Sequence, residues 1–222
     1  ALVMPGEQMP QDLQANPGLH TVIGTLAEPP WETIRAMAPE TCLHTAWITT
    51  PNIYLESPEN DRFQEWSFSF AKRFFAEGGQ HFMGLGSCAE YVPAHRPLKE
   101  TEFPLNTATR YARCKTALRE ALENLSSQID KPVAWGRVFY PFGIGEHPAR
   151  LCSSLILKLG RGETITLKTP ESTKDYIYID DLALAILTVV ERRFRGTINL
   201  GTGNEITVRA IARQLGNILQ RP

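Results

Sequence analysis

The sequence predicts an α/β protein organised as a doubly wound parallel sheet, and three observations carry that prediction. Short apolar runs alternate with segments of helical period along the chain, the pattern of βαβ units. The intervening helical segments are long enough to act as crossovers between parallel strands. Finally, chemically versatile residues fall just past the apolar runs, at His44, Ser87 and Tyr140, and the carboxyl ends of strands are where such sheets bind ligands.

The elements follow in order. Leu2-Val3-Met4 reads as the end of a strand, closed by Pro5-Gly6, and residues 19–26 read as a second strand. After Pro29-Pro30 comes a short helix over 31–37, then a strand over 41–48. Phe63, Trp66, Phe70, Phe74 and Phe75 repeat with helical period, which predicts a helix over 58–76 with one buried stripe, stopped by Gly78-Gly79. Residues 81–87 form an apolar strand running into Ser87, and 106–125 a helix with Asn106 or Thr107 as its N-cap. A strand over 132–139 leads to a loop over 140–146 and a helix over 151–159. Short strands are expected over 164–167 and 176–179, with Asp180-Asp181 capping a helix over 182–191 rather than binding a metal. A turn over 199–203 and a final helix over 208–219 complete the chain. There is no internal repeat and no low-complexity linker.

Composition narrows the class. With 222 residues, 42% hydrophobic and 21% charged, the chain can bury a sizeable core as an ordinary soluble protein. A net charge of -1 argues against a nucleic-acid partner, and no apolar run approaches the roughly 18 residues of a membrane span. The first residues lack the pattern of a signal peptide. Cys42, Cys88, Cys114 and Cys152 are scattered without a CxxC pair, and the histidines lack metal-ligand spacing. A cytoplasmic protein with reduced cysteines and no metal is expected.

The most informative spacing is Tyr111-Ala-Arg-Cys-Lys115. Positions i and i+4 share a helix face, so phenol and ammonium project together. A nearby ammonium favours phenolate and would lower a phenol pKa from about 10 toward the range useful for acid/base work. Ser87, at a neighbouring strand end, could hold a carbonyl or alcohol for that tyrosine. An exposed helix turn carries the same spacing, and what favours the functional reading is the company at the strand ends.

Taken together, these residues resemble the extended short-chain dehydrogenase/reductase family, the NAD-dependent epimerases and dehydratases that modify sugar nucleotides. The likeness rests on Gly24-Thr25-Leu26, His44-Thr45-Ala46, Ser87-Cys-Ala-Glu-Tyr91 and Tyr111-x-x-x-Lys115. It continues through Arg137-Val-Phe-Tyr-Pro-Phe-Gly143, Lys174-Asp-Tyr-Ile-Tyr-Ile-Asp-Asp181 and Asn199-Leu-Gly-Thr-Gly203. The resemblance implies a Rossmann-like sheet with a small C-terminal α/β lobe, and a catalytic set of Ser87, Tyr111 and Lys115. Tyr111 would be the acid/base; Lys115 would also bind the nicotinamide ribose of NAD or NADP; Ser87 would hold the reacting oxygen. His44, Thr45, Ala46 and Phe139 would border the cofactor, although a satisfied core histidine is an equal reading of His44. Tyr140 and Lys174 would contact a nucleotide-sugar substrate, Lys174 alternatively pairing with Asp175 or facing solvent. Homodimerisation through the helices over 58–76 and 106–125 is also implied, and an intramolecular face explains the aromatic stripe equally well.

Departures from the family pattern are informative. Thr25 stands where an Asp usually contacts adenine, Tyr140 where Asn is frequent, and Lys174 where Arg is commoner. Cys88 and Ala89 hold the places of the dehydratases' Asp-Glu pair, and Glu90 comes one position late, which turns a strand-end side chain to the other face. Dehydration therefore ranks low, and a 4-epimerase or 4-keto-reductase ranks first. No G-x-x-G-x-x-G turn occurs near the start, so the first strand and the phosphate-binding loop are expected to be missing, and with them the middle ladder of the sheet. Residues 1–140 then form a partial dinucleotide-binding domain, and 141–222 mainly a substrate lobe with some segments returning to the sheet. Met4-Pro5-Gly6-Glu7 does not separate NAD from NADP. A non-catalytic scaffold, and a reductase of a non-sugar ketone, are the alternatives.

Overall fold

Neighbouring residues of an extended strand face opposite sides of a sheet, and Phe82 and Met83 use this to feed two separate cores. The computed structural model describes residues 1–7, 13, 15–94, 96–101 and 105–220. In chain order its elements begin with β1 (Leu2–Val3), β2 (Val22–Ile23), α1 (Trp31–Met37), β3 (Thr41–His44), α2 (Glu59–Ala76) and β4 (His81–Ser87). A single 3₁₀ turn (Cys88–Glu90) then precedes α3 (Arg110–Ile129), β5 (Val133–Val138), β6 (Tyr140–Phe142) and α4 (Leu151–Gly160). The remainder is β7 (Thr173–Lys174), β8 (Tyr176–Tyr178), α5 (Ile179–Glu191), β9 (Gly196–Leu200), β10 (Ile206–Thr207) and α6 (Val208–Ile218).

The main sheet has the order β3-β4-β5-β9, and every pairing in it is parallel. On one face Phe82, Val133 and Trp135 pack with Phe70, Phe74 and Phe75 of α2 and with Leu118 and Leu122 of α3. On the other face Met83, Ala134 and Leu200 meet Leu182, Ile186 and Val189 of α5. Helices on both faces make the sheet doubly wound, as the alternating pattern predicts. Fully burying a large apolar side chain stabilises the fold by about 1.5–3 kcal/mol, so Leu118 and Leu122 are among its principal anchors. A third cluster, Cys152 and Leu155 of α4 with Ile211 of α6, lies among the C-terminal elements.

β1 and β2 pair with each other in parallel and belong to a separate ladder from the main sheet. With the β6–β8 pair, the described parallel strands fall into three ladders. Gly24 extends the β1–β2 ladder, its N–H donating to the Val3 carbonyl at 3.0 Å. A Cβ at Gly24 would lie 2.5 Å from Pro30 Cδ, so only glycine fits that close approach.

Several boundaries differ from the sequence expectations, each for a local reason. β3 stops at His44, because Trp47 turns into the core beside α2 rather than continuing the ladder. α3 is capped by Thr109, whose Oγ1 accepts from Ala112 N at 3.2 Å. Asn106 instead ties the lead-in segment to the 3₁₀ turn, donating to Ala89 O at 2.9 Å. Asp180 and Asp181 do not cap α5: its N-cap is Tyr178 without a side-chain bond, and the two carboxylates lie in the first turn, where the helix dipole favours them. Residues 140–146 are not wholly loop, since β6 pairs in parallel with β8. Residues 164–167 form no strand; Ile165 and Leu167 pack on the third cluster instead. β7 and β10 pair antiparallel, and β9 extends the main sheet through residues expected partly as a turn.

Candidate active site

The site gathers at the carboxyl ends of β3, β4 and β5. Ser87 ends β4 and caps the 3₁₀ turn, its Oγ accepting from Ala89 N at 3.2 Å. Its own N–H donates to Glu90 Oε1 at 2.9 Å, completing a capping box. Glu90 is wholly buried and also accepts from Trp135 Nε1 at 3.0 Å and from Arg137 Nε at 2.9 Å. The late carboxylate is thus taken up by the end of β4 and by β5. Arg137 continues the chain of contacts, donating to the Tyr91 hydroxyl at 2.8 Å, which donates to Asn199 Oδ1 at 2.7 Å. β4, β5 and β9 are locked together beneath Ser87.

Tyr111, in the first turn of α3, is buried with its ring edge-on to Tyr54 at 5.0 Å and to Trp47 at 6.4 Å. Asn60, itself fully buried, organises this wall. Its amide donates to Tyr54 O at 2.6 Å and Ser57 O at 2.9 Å, while its carbonyl accepts from Trp47 Nε1 at 2.7 Å. The segment after β3 is thereby wrapped onto α2 and delivers both rings to Tyr111. Its Lys115 neighbour donates from Nζ to Leu85 O at 2.7 Å and sits 3.8 Å from the Trp47 ring centroid.

The electrostatics differ from the sequence expectation in one respect. Burial pushes the Tyr111 phenol up from its ordinary value, and a hydrogen bond from Ser87 opposes that shift. Lys115 is not among the causes. Its own pKa is pulled down to about 7, chiefly by burial, with the Glu90 carboxylate opposing. Desolvation of both groups outweighs the mutual effect that their helical spacing suggests. Lys115 Nζ nevertheless lies 5.8 Å from the Tyr111 ring centroid, and Ser87 is close enough to act on the phenol.

The remaining expected residues divide. Thr45 and Ala46 are exposed just beyond β3. His44 is turned inward, its ring 5.6 Å from Phe82 and 6.4 Å from Phe70, with Nε2 buried and unpartnered. The ring lies among core aromatics, but its unpartnered nitrogen is not that of a satisfied core histidine. Burial, then the Lys115 charge, pull its pKa down to about 4. Phe139 follows β5, and a Cβ at Gly201 would lie 3.1 Å from its ring. Tyr140 stacks near Tyr176 at 5.7 Å, and Lys174 Nζ lies 5.2 Å from the Tyr140 ring centroid. Asp175 is taken up by Thr202 and Gly203, accepting from their N–H groups at 2.9 Å each, so Lys174 is left facing Tyr140. Cys88 joins this group, its thiol pushed up to about 11 by burial while the Lys174 charge and a hydrogen bond from Tyr140 oppose. A cleft of about 620 Å³ lies alongside, between Thr49–Pro51, the 141–147 segment and Arg150.

Sequence reasoning did not single out Trp47, Tyr54 or Asn60 as parts of this site. The available signal was a tryptophan directly after Ala46 and an asparagine in the first turn of an otherwise aromatic helix.

The fold and this cleft define a doubly wound α/β protein with a Tyr-x-x-x-Lys helix over the strand ends. A sequence profile of the NAD dependent epimerase/dehydratase family matches residues 11–201, and the chain belongs to that family of NAD-dependent enzymes. Among solved structures it is similar to UDP-glucose 4-epimerase from Thermotoga maritima with UDP-glucose, at 18% identity and a TM-score of 0.80, covering 99% of this chain and 74% of that one. It is also similar to dTDP-glucose 4,6-dehydratase from Bacillus anthracis in complex with NAD, at 17% identity and a TM-score of 0.79, covering 96% and 68%. UDP-N-acetylglucosamine 4-epimerase from Bacillus cereus matches at 15% identity and a TM-score of 0.81, covering 99% and 73%. At these identities the likeness is one of fold. Among the described residues no helix is long and apolar enough to cross a membrane.

The residues present fit the nicotinamide end of the family's cofactor. Lys115 uses one of an ammonium's three donors on Leu85 O, which leaves others for a ribose diol, beside a phenol and a serine hydroxyl. Thr25 Oγ1 accepts from Glu28 N at 2.9 Å.

Proposed function

We propose that the protein is an NAD(P)-dependent sugar-nucleotide oxidoreductase acting as a 4-epimerase or 4-keto-reductase, with Ser87, Tyr111 and Lys115 as its catalytic set. The observation that carries the reading is the buried Tyr111 phenol, on which Ser87 acts, with Lys115 one helical turn on and its Nζ 5.8 Å from the Tyr111 ring centroid. When bound, the nicotinamide supplies the redox chemistry at its C4. Burial keeps the Tyr111 phenol protonated at neutral pH, ready to donate to a developing alkoxide on the substrate and to recover that proton in the reverse direction. Ser87, fixed from beneath by Glu90, orients the reacting oxygen toward the phenol. Lys115 holds the ribose side of the cleft.

The environment of Glu90 supports epimerase or reductase chemistry over dehydration. A dehydratase needs a carboxyl group able to protonate a leaving hydroxyl, and here the nearest one is spent on Ser87 N, Trp135 and Arg137. Cys88, its thiol pushed up to about 11, and Ala89 stand in the places where that acid would be. For the substrate, Lys174 over Tyr140 offers a cation to a nucleotide diphosphate, and the third apolar cluster supports residues 141–222 as mainly the substrate lobe.

The test is Tyr111→Phe. Loss of general acid/base catalysis lowers turnover of a UDP- or dTDP-hexose by about 10²–10⁴ with an unchanged circular dichroism spectrum; near-wild-type turnover would refute the assignment. Bound NAD that survives purification, with no net consumption of added NADPH, selects the epimerase. Absence of dinucleotide binding at millimolar concentration in a folded sample sinks the enzyme reading altogether.

A further inference from the structure

Lys115 is enclosed to a degree that the proposed chemistry alone does not require. Beside its bond to Leu85 O, the Nζ lies 3.8 Å from the Trp47 ring centroid and 5.8 Å from those of Trp135 and Tyr111. Trp47 is not free to choose this pose. Its indole N–H is anchored 2.7 Å from Asn60 Oδ1, and Asn60 is in turn fixed by two backbone carbonyls. The ring therefore presents its face, the electron-rich side of the indole quadrupole, to the ammonium.

We propose that Trp47 is a positioning residue of the site, holding the Lys115 ammonium against the Leu85 carbonyl from an anchor on Asn60. The inference deepens the reading of Lys115 given above, but its geometry does not depend on which reaction the enzyme runs. A lysine has a flexible four-carbon stem, and without a wall on the Trp47 side Nζ would be free to swing off the Leu85 carbonyl. The indole has two opposed effects. Its face attracts the charged form, while its bulk excludes the water that would solvate that charge. Burial is the dominant cause of the lowered pKa of Lys115, so exclusion of water wins. The titratable groups facing Lys115 are Glu90 from the 3₁₀ turn, which favours the ammonium, and His44 from β3, whose own pKa the ammonium lowers. Tyr111 lies beside it on α3.

The experiment measures the titration of the Lys115 side chain by ¹⁵N NMR in the full chain, the signal being assigned by its loss in Lys115→Met. In the unsubstituted protein the Lys115 midpoint should lie below the ordinary lysine value, because of burial. Trp47→Leu hydrates the ammonium, so its midpoint moves upward and kcat/KM falls by about tenfold, the pH–rate profile moving in the same direction. Trp47→Phe restores the aromatic face and recovers most of both. A folded Trp47→Leu protein with an unmoved midpoint and pH profile overturns the proposal. If that variant does not fold, Asn60→Ser supplies the reading by releasing the indole N–H: an upward midpoint supports the clamp, an unchanged one overturns it. Failure of the enzyme assignment would appear elsewhere, as an active Tyr111→Phe, and would leave the Lys115 titration as it is.

Discussion

The indole N–H of Trp135 reaches both carboxylate oxygens of Glu90, at 3.0 and 3.2 Å, across strand β4. It can do so because Gly84 and Gly86 leave that face of β4 bare: a Cβ on Gly86 would lie 2.2 Å from Trp135 Nε1 and 2.3 Å from Glu90 Oε1. The carboxylate also pairs with Arg137 at 2.9 Å, both groups being essentially solvent-free. Removing one member of a buried pair leaves the other charge uncompensated, so Glu90→Leu should destabilise the fold by about 3–5 kcal/mol. Urea denaturation checks this. A cost below 1 kcal/mol would mean that Arg137 finds another partner at once.

Ser87→Ala addresses the site above that pair. Ser87 opposes the upward effect of burial on the Tyr111 phenol, so its loss should move the phenol further up. The alkaline limb of the pH–rate profile, where the phenol loses its proton, should therefore move to higher pH. Turnover should fall by about 10²–10³, the usual cost of removing one donor from a reacting oxygen. An alkaline limb that stays in place while turnover falls would assign that limb to another group.

How far the sequence foretold all this depended on the range of the signal. The helix α2 was legible because Phe63, Phe70 and Phe74 repeat with a helical period, and β4 because 81–87 is an unbroken apolar run. The placement of Ser87 at a strand end and of Tyr111 and Lys115 on one helix was legible because these are local properties of the chain. β7 and β10 were not: each is a two-residue strand that exists only through its partner, and two residues carry no period. The electrostatics were misjudged for a similar reason. Tyr111 and Lys115 are adjacent on a helix in any setting, but the burial that dominates both pKa values comes from Tyr54, Trp47 and Asn60, residues far away in sequence whose convergence only the fold reveals. Glu90 was set apart by its offset along the chain, yet its partners Trp135 and Arg137 lie on another strand and could not be named in advance.

Glu77 gives an acid-dependent term remote from the site. Its carboxylate accepts from Arg35 Nε at 2.6 Å and Arg73 Nε at 2.5 Å, joining α1 to the end of α2. The Arg35 hydrogen bond leads in lowering its pKa from 4.5 to about 2. A depressed folded-state pKa contributes stability above the unfolded value and loses it as pH falls through the folded one. The Tm difference between the protein and Glu77→Gln should thus hold steady above pH 5 and shrink between 4.5 and 2. Glu77 is partly covered but its two arginine partners are about half exposed, so added salt should reduce the difference. A difference independent of both pH and salt would remove the ion pair from the account.

His44 supplies the opposite test, because it is a polar group in an apolar place. Its ring packs near Phe70 and Phe82 with Nε2 unpartnered, and a buried polar atom without a partner costs stability. Burial and the Lys115 charge lower its pKa from 6.5 to about 4, so the unfolded chain binds a proton that the folded protein refuses. Stability associated with neutral His44 is present above pH 6.5 and drains away as pH falls toward 4. His44→Phe, similar in shape and without the ionisable ring, should abolish that loss. The variant should melt higher than the parent at pH 5, with a smaller advantage at pH 8, by differential scanning calorimetry. Because the histidine faces Phe70 and Phe82, dinucleotide affinity measured by titration should change by less than about threefold, the size of a small packing adjustment. A variant that melts higher at pH 5 and yet loses dinucleotide binding would return His44 to the cofactor wall, whereas equal melting at both pH values would mean that its buried nitrogen finds a partner in solution.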